Sequence, residues 1–354
     1  MMKSILILYS FPLTFMPDGS PDHAVQESVL SRLQAVEDAL RRLGYATKTL
    51  EVTGNLLELV QEIRSGRDDL VFNLCEEFLG CSQLEMNVAA VLELLQVPFT
   101  GSSPLTLGLT QDKGKTKTIL AACGIPTPAF RVWQPREPSR IAGLRFPLFV
   151  KPLLEDASLG IDNEAFVRDE TALLRQIQKI YQVHKQPVLI EEYIEGRELN
   201  VSILGPDPLD VLPISEIDFS TLPPGLPKIC SYAAKWEEES REYVSTLPVC
   251  PAPLSPQVES QVKEISLQAY RIMECRDYGR VDIRLSAEDI PYVLEVNANP
   301  DISTDAGMPR SAKAAGLDYD QLIGRIVETA WARWKAVCSL QRRQPNDPAG
   351  GRKG

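Results

Sequence analysis

The chain has 354 residues, 44% of them hydrophobic and 24% charged, with a formal net charge of -11. That is the make-up of a soluble globular protein with room for two or three domains and a sizeable core. The acidic balance argues against a nucleic-acid or anionic-membrane partner, yet leaves room for a nucleotide held by a local positive pocket and a metal. Seven Cys occur without a C-x-x-C pair, as expected of free or buried thiols in a reducing compartment. The only histidines, His23 and His184, argue against a His-rich zinc site, and both are expected on the surface or in loops. No segment is apolar for long enough to span a membrane. Ser4–Ser10 is too short for a signal segment and has no small-residue cleavage site, so the cytoplasm is the expected location.

Residues 1–100 alternate strand and helix. Ile5–Tyr9 reads as a buried first strand, followed by a Pro-, Asp- and Gly-rich loop over Phe11–Asp22. Val25–Leu43 carries Val25, Val29, Leu33, Val36, Leu40 and Leu43 at helical spacing and stops at Gly44. Thr47–Val52 predicts a second strand, Leu56–Ser65 a helix ended by Gly66, Asp69–Leu74 a buried third strand and Met86–Leu95 a third helix. Such alternation predicts an α/β layer built on a mostly parallel sheet. Ligands then sit beyond the carboxyl ends of the strands, which makes Phe11–Gln26 and Asn73–Glu85 candidate substrate loops. No G-x-G-x-x-G is present, so this is not a plain dinucleotide site.

Lys113, Lys115 and Lys117 form a cationic cluster. Taken alone, such a run is commonly a solvated helix face. Residues 130–145, with Pro135, Pro138 and Gly143, read as a connector. Phe146–Pro152 predicts a strand closing on Lys151, a point charge suited to phosphate. Asp156–Gly160 is either an ordinary turn or a loop whose N–H groups fold over phosphates. Glu164–His184 is predicted mostly helical, with Leu173, Leu174, Ile177 and Ile180 on one stripe. Pro187–Ile194 and Gly196–Leu204 are expected as an antiparallel pair, and Val211–Ile217 as a short strand inside a Pro-rich loop. The acidic run Glu237–Glu239 reads as solvated. Ser255–Cys275 and Asp320–Leu340 are predicted helices, and Gln341–Gly354 a disordered tail.

The most informative stretch is Tyr278–Ile302. Arg280–Leu285 and Tyr292–Asn297 alternate with period two around a polar turn at Ser286–Pro291, the pattern of a β-hairpin. Side chains at i and i+2 share a strand face, so Arg280, Asp282 and Arg284 fall together, as do Glu295 and Asn297. If the two faces coincide, two carboxylates, an amide and a cation meet at one point. Carboxylates at that density are costly unless something positive sits between them, and a hard divalent cation such as Mg²⁺ meets that need. The competing reading is a solvated outer face. Asn297-Ala-Asn-Pro300, which commits further polar groups beside the carboxylates, favours the ligand site.

Arg280-Val-Asp282 followed by Leu294-Glu-Val-Asn-Ala-Asn-Pro300 resembles the metal-binding end of the ATP-grasp ligases, D-alanine–D-alanine ligases in particular. Other segments of the same ligases are resembled by Val97-Pro-Phe-Thr-Gly-Ser102 with Asp112-Lys113, Val150-Lys-Pro152, Ile190-Glu-Glu-Tyr-Ile-Glu-Gly-Arg-Glu198 and Ser231–Trp236. The resemblance covers roughly residues 3–338. It implies an α/β (α+β) ATP-grasp fold, with a parallel α/β substrate-binding domain over 1–102. A central subdomain over 103–190 and a C-terminal subdomain with the metal site over 191–340 would sandwich ATP.

By matching motif, the resemblance places Asp282, Glu295 and Asn297 on two Mg²⁺ ions, with Mn²⁺ as the alternative. Arg280 stabilises the tetrahedral anion. Lys113 and Lys151 contact the phosphates, and Ser158 and Gly160 belong to the loop that covers them. Glu191, Glu192, Tyr193 and Ile194 form the adenine hinge, and Glu198 holds the ribose hydroxyls. Lys235 and Trp236 close over ATP and acceptor. Glu27 is the approximate counterpart of the residue that binds the first amino group.

The implied activity is ADP-forming carboxylate–amine ligation through an acyl phosphate, with small molecules as partners and a homodimer common in the family. The acceptor side departs from the pattern. Asn-x-x-Pro-Gly-Met followed by an acceptor-binding Ser is replaced by Asn297-Ala-Asn-Pro-Asp-Ile-Ser-Thr-Asp-Ala306. This puts Ala306 at the Ser position and leaves Asn299, Ser303, Thr304 and Asp305 as candidate acceptor contacts. Asn73-Leu-Cys-Glu-Glu77 replaces a His-Gly segment, and Glu155-Asp-Ala157 a Glu-Gly-Ser run. A related ligase that condenses an amino acid onto a cyclohexenone core is one alternative, and a non-catalytic ATP-binding regulator is another.

Overall fold

A computed structural model describes residues 2–11, 23–66, 68–135, 143–156 and 158–341. Most of the Pro-rich loop after the first strand and the C-terminal tail lie outside these residues, so the expectations made for them are not addressed.

The first layer is β1 (Ser4–Tyr9), α1 (His23–Arg42), β2 (Ala46–Glu51), α2 (Leu56–Gly66), β3 (Leu70–Leu74) and α3 (Glu85–Leu94). The three strands pair in parallel, in the order β2-β1-β3. β3 is buried along its whole length, as a sheet covered on both faces requires. The apolar stripe of α1 packs as its spacing predicts, with Val29, Leu33, Val36 and Leu40 buried.

α4 (Pro104–Gln111) and α5 (Lys113–Ala122) follow. Ser103 caps α4, accepting from the Thr106 N–H, and Asp112 caps α5, accepting from the Lys115 N–H. Next come β4 (Phe130–Trp133), β5 (Leu148–Pro152), β6 (Phe166–Val167), α6 (Glu170–His184) and β7 (Val188–Glu192). The strands form an antiparallel sheet in the order β4-β7-β5-β6, with α6 packed on it through Leu173, Ile177 and Ile180. Two expectations are corrected here. The connector over 130–145 contains β4, because Phe130–Trp133 finds β7 as a partner. α6 starts at Glu170, six residues later than predicted, because Asp169 caps it by accepting from the Ala172 N–H.

The third sheet takes β8 (Gly196–Leu204), β9 (Asp210–Val211) and β10 (Ser215–Asp218). The short helices α7 (Tyr232–Trp236) and α8 (Arg241–Val244) lead to β11 (Leu247–Val249), α9 (Pro256–Ile272), β12 (Tyr278–Ser286) and β13 (Pro291–Asn297). The order is β11-β10-β8-β12-β13, with β9 against β8. α10 (Gly307–Ala314) and α11 (Tyr319–Gln341) close the fold, and α11 shares a core with α1 and the first sheet through Leu322, Ile326 and Trp331.

The predicted β7–β8 hairpin does not form. β7 pairs with β4 and β5, whereas β8 pairs with β12 along its length. The Glu192 N–H donates to Ala129 O and the Tyr193 N–H to Pro147 O, which anchors this end of β7 in the small sheet. The Arg284 guanidinium donates to Ile194 O and hands the chain to the large sheet. Residues 193–195 are therefore a crossing between two sheets. The strand expected over Val211–Ile217 is split into β9 and β10, because Pro213 between them offers no N–H to a ladder.

Candidate active site

The two antiparallel sheets and the first layer enclose a cavity of about 1010 Å³. The hairpin β12–β13 forms one wall, and its predicted faces coincide. Arg280 pairs with Asn297 and Asp282 with Glu295 across the ladder. The alternation is not strict, since the register slips between Asp282 and Ile283. This bulge leaves Leu294 as the extra residue, so Val293 turns into the core while Glu295 and Asn297 keep the cavity face.

The Arg280 guanidinium holds Asp282 in a bidentate pair, Nε to Oδ1 at 2.7 Å and Nη2 to Oδ2 at 2.8 Å. Asn200 Nδ2 donates to Asp282 Oδ1 at 2.7 Å, and Asn297 Nδ2 to Oδ2 at 2.9 Å. Asn297 thereby keeps its side-chain oxygen without a donor among the described residues. Burial alone would raise the Glu295 pKa, but Lys113, Lys151 and Arg280 hold it down at about 2, so it is ionised at neutral pH. Asp282, Glu295 and the Asn297 oxygen make a hard oxygen donor set that suits Mg²⁺.

Lys113 and Lys151 line the cavity and are both buried. Lys113 Nζ lies 2.6 Å from Asp156 Oδ1, 2.5 Å from the Glu155 carbonyl and 4.0 Å from Glu295. Of the three clustered lysines, only Lys115 is solvated; Lys117 is wholly buried against Glu191. Helix periodicity explains this, since Lys113 and Lys117 share one face.

Glu191 closes the small sheet between Lys117 and Lys151. Burial pushes its pKa up, and the two ammonium groups more than reverse that. The Glu192 carboxylate turns to Arg145. The Tyr193 hydroxyl accepts from Arg284, and Glu198 is ion-paired to Arg284 at 2.9 Å. Ile194 lines the cavity, and its N–H finds no acceptor among the described residues.

Two loops meet over this end. Ser158 Oγ donates to the Cys230 carbonyl at 2.9 Å, and the Tyr232 N–H donates to the Ile161 carbonyl at 2.8 Å. The expected loop Ser231–Trp236 is a short helix capped by Ser231, whose hydroxyl accepts from the Ala234 N–H. Lys235 Nζ lies 5.4 Å from the centre of the Trp236 ring, and both residues line the cavity. Gly160 does not. Its φ of +73° and the closeness of His184 and Pro152, which a Cβ would meet at 2.5 and 2.7 Å, give it a backbone role. His184 is accordingly half-buried at the cavity margin rather than free on the surface.

At the opposite end the structure corrects two expectations. α1 turns Val25, Ser28, Val29 and Arg32 to the cavity and leaves Glu27 exposed on another face. Thr304 is also exposed and off the cavity, while Ser303, Asp305 and Ala306 line it. Asn299 lines it too, but its side chain is tied up: Nδ2 donates to Glu85 and to the Cys75 carbonyl, and Oδ1 accepts from Tyr278.

The sequence reading missed Arg32 and Asn200, and it held Glu76 and Glu85 only as part of the candidate loop Asn73–Glu85. The Arg32 guanidinium is buried, donates to Glu76 and sits 3.6 Å from Asp301. Asp301 Oδ1 also accepts from the N–H and hydroxyl of Ser303 at 2.8 and 2.6 Å. Burial pushes Glu85 up to about 8, opposed by the Asn299 donor, so at neutral pH it is largely protonated. One clue was available for Arg32, which is four residues after Ser28 and seven after Val25 and so shares their helix face. Glu85 closes the candidate loop Asn73–Glu85, but nothing local marks it out from Glu76 and Glu77.

The D-ala D-ala ligase C-terminus family matches residues 119–328, more than half of the chain. An uncharacterised protein of Sinorhizobium fredii (strain NBRC 101917 / NGR234) is 33% identical over 323 residues, with 90% of each chain covered. A D-alanine–D-alanine ligase of Methylacidiphilum infernorum (isolate V4) is 34% identical over 325 residues, 90% of this chain and 95% of that one. The crystal structure of the D-alanine–D-alanine ligase from Bacillus anthracis complexed with ATP superposes with a TM-score of 0.73 at 25% identity, covering 95% of this chain and 99% of the other. The Coxiella burnetii ligase, at 18% identity and a TM-score of 0.73, shares the fold over 97% of this chain and 98% of its own. Kinship along nearly the whole length thus joins the geometry of the cavity: the chain belongs to the D-alanine–D-alanine ligase family of ATP-grasp enzymes, ATP-dependent ligases that form ADP.

Proposed function

We propose that the chain uses ATP to join an amino acid to the amine of a second amino acid. A carboxylate oxygen of the first substrate attacks the γ-phosphorus and ADP leaves, giving an acyl phosphate. The amine nitrogen of the second attacks the acyl carbon, and the tetrahedral anion expels phosphate with loss of the amine proton. The observation that carries this reading is the meeting of Arg280, Asp282, Glu295, Asn297, Lys113 and Lys151 at one end of a single cavity.

Asp282, Glu295 and Asn297 would hold Mg²⁺, two ions by the family pattern, with Mn²⁺ as the alternative. Bound there, the metal supplies positive charge to the phosphate oxygens during transfer. Lys113 and Lys151 add fixed cations. The end of β7 and the start of the crossing, Glu191–Ile194, receive the adenine and Glu198 the ribose. Ser158 ties its loop to the one that carries Lys235 and Trp236, which excludes water from the acyl phosphate. Arg280 moves from Asp282 onto the developing oxyanion. Residues 1–102, 103–190 and 191–340 serve as substrate, central and metal-bearing units. A homodimer and a cytoplasmic location belong to the same reading. The free cysteines among the described residues fit a reducing compartment.

D-Alanine is the first substrate to test, by kinship with the named ligases. Ala306 and Asp301 make the acceptor end differ from the family pattern, and Arg32 with Asp301 is a better anchor there than Glu27. The comparisons do not favour a cyclohexenone-condensing enzyme, and the intact metal ligands speak against a non-catalytic regulator.

The experiment is ADP release by purified protein with Mg²⁺-ATP, across D- and L-amino acids singly and in pairs, with Glu295→Gln as the blank. Turnover above the blank with at least one amino acid pair is expected. No turnover with any pair, alongside measurable ATP binding, would overturn the amino-acid reading.

A further inference from the structure

The lysine cluster of α5 contains one residue that the mechanism leaves unused. Lys117 is wholly buried and absent from the cavity wall, whereas Lys151 and Glu191 line it. Lys117 Nζ lies 2.7 Å from Glu191 Oε2 and donates to the Thr127 hydroxyl at 2.9 Å. That hydroxyl in turn donates to the Val293 carbonyl at 2.8 Å, on the strand that carries Glu295. The other Glu191 oxygen, Oε1, lies 3.1 Å from Lys151 Nζ. One carboxylate is thus shared between an ammonium that no ligand touches and one that faces the cavity.

We propose that Lys117 is a positioning residue, the permanent counter-ion of Glu191, and that it frees Lys151 to turn its charge onto the nucleotide phosphates. The inference rests on the nucleotide reading above. Two lysines against one glutamate give the triad one positive charge in excess, which Lys151 presents to the cavity beside Glu295. An anion that reaches Lys151 there meets an ammonium whose buried carboxylate partner is already satisfied by Lys117. Without Lys117, Lys151 would be the only partner of Glu191 among the described residues. It could then reach a phosphate only by leaving a buried carboxylate unpaired, and removing one partner of a buried pair is the costly case. Lys117 removes that conflict without touching the ligand.

The test is a double-mutant cycle read by equilibrium binding of Mg²⁺-ATP and of Mg²⁺ with inorganic triphosphate, which lacks the adenine. Lys117→Met is expected to weaken both at least tenfold. Adding Glu191→Gln is expected to restore triphosphate affinity to within about threefold, because no buried carboxylate then competes for Lys151. A purely structural role for Lys117 would lower the urea midpoint of Lys117→Met and leave the triphosphate affinity of its folded fraction unchanged, since replacing both partners of a buried pair also restores stability. Unchanged triphosphate binding in Lys117→Met, or a double variant no better than the single one, would overturn the proposal. Should Lys117→Met not fold alone, Glu191→Gln is compared with the double variant. Equal affinities are expected there, and a tenfold gap would overturn the proposal. Failure of the unsubstituted protein to bind Mg²⁺-ATP would overturn the nucleotide reading, and this inference with it.

Discussion

Asp282 accepts from three side chains, Arg280, Asn200 and Asn297, and this local crowding sets what single substitutions do. Arg280→Met removes the group assigned to the oxyanion, and kcat is expected to fall by about 10²–10³. ATP affinity, measured by direct binding, should change far less, because the phosphates rest on Lys113, Lys151 and the metal. Equal loss in both would move Arg280 from oxyanion to nucleotide.

Glu85 gives a stability prediction. Its folded pKa of about 8 lies above the ordinary value of 4.5, so the native state retains a proton that the unfolded chain has lost. Its contribution to stability is full below pH 4.5 and fades as the pH climbs to about 8. Urea midpoints of Glu85→Gln against the unsubstituted protein should show the difference. The variant should gain in relative stability between pH 5 and 8, by up to ~4 kcal/mol. A constant offset across that range would mean that Glu85 ionises normally.

At the scale of elements, the bulge in β13 and the crossing after β7 do most to build the site. The crossing ends at Gly196, whose φ is +152° and where a Cβ would lie 1.9 Å from the Leu285 carbonyl. Gly196→Ala is expected to cost about 2–4 kcal/mol in urea unfolding, since β8 would have to move off β12. The two-loop closure is a lighter device. Ser158→Ala deletes one of the two hydrogen bonds described above, a loss of ~1 kcal/mol that predicts about a fivefold rise in KM for ATP. An unchanged KM would mean that the Ser158 bond does not carry the closure.

The whole molecule brings three sheets around one cavity, with charged contacts tying the layers together. Arg333 on α11 pairs with Asp277 and donates to the Phe99 carbonyl, and Arg32 of the first layer reaches Asp301. A ligand held between layers stabilises only the assembled state. Mg²⁺-ATP at about one hundred times its Kd should therefore add ~2.7 kcal/mol and raise the melting midpoint. ATP with a chelator should do much less, and an equal shift would remove the metal from nucleotide binding.

Local periodicity and short motifs were legible from the residues alone. The parallel layer follows from alternating apolar runs and helix stops, and the meeting of Arg280, Asp282, Glu295 and Asn297 follows from period-two faces of adjacent strands. Each of these depends on neighbours within a few residues or one turn. Only the tertiary structure decided the rest. β7 and β8 look like a hairpin in sequence, but hydrogen bonds to Ala129, Pro147 and Arg284 send them to different sheets. Glu27 and Arg32 lie on the same helix, and only the docking of α1 says which one faces the cavity. Lys117 reads as a solvated charge until Glu191 closes over it, from 74 residues further along the chain. Burial of a charge is decided by what packs against it, and that partner is distant in sequence.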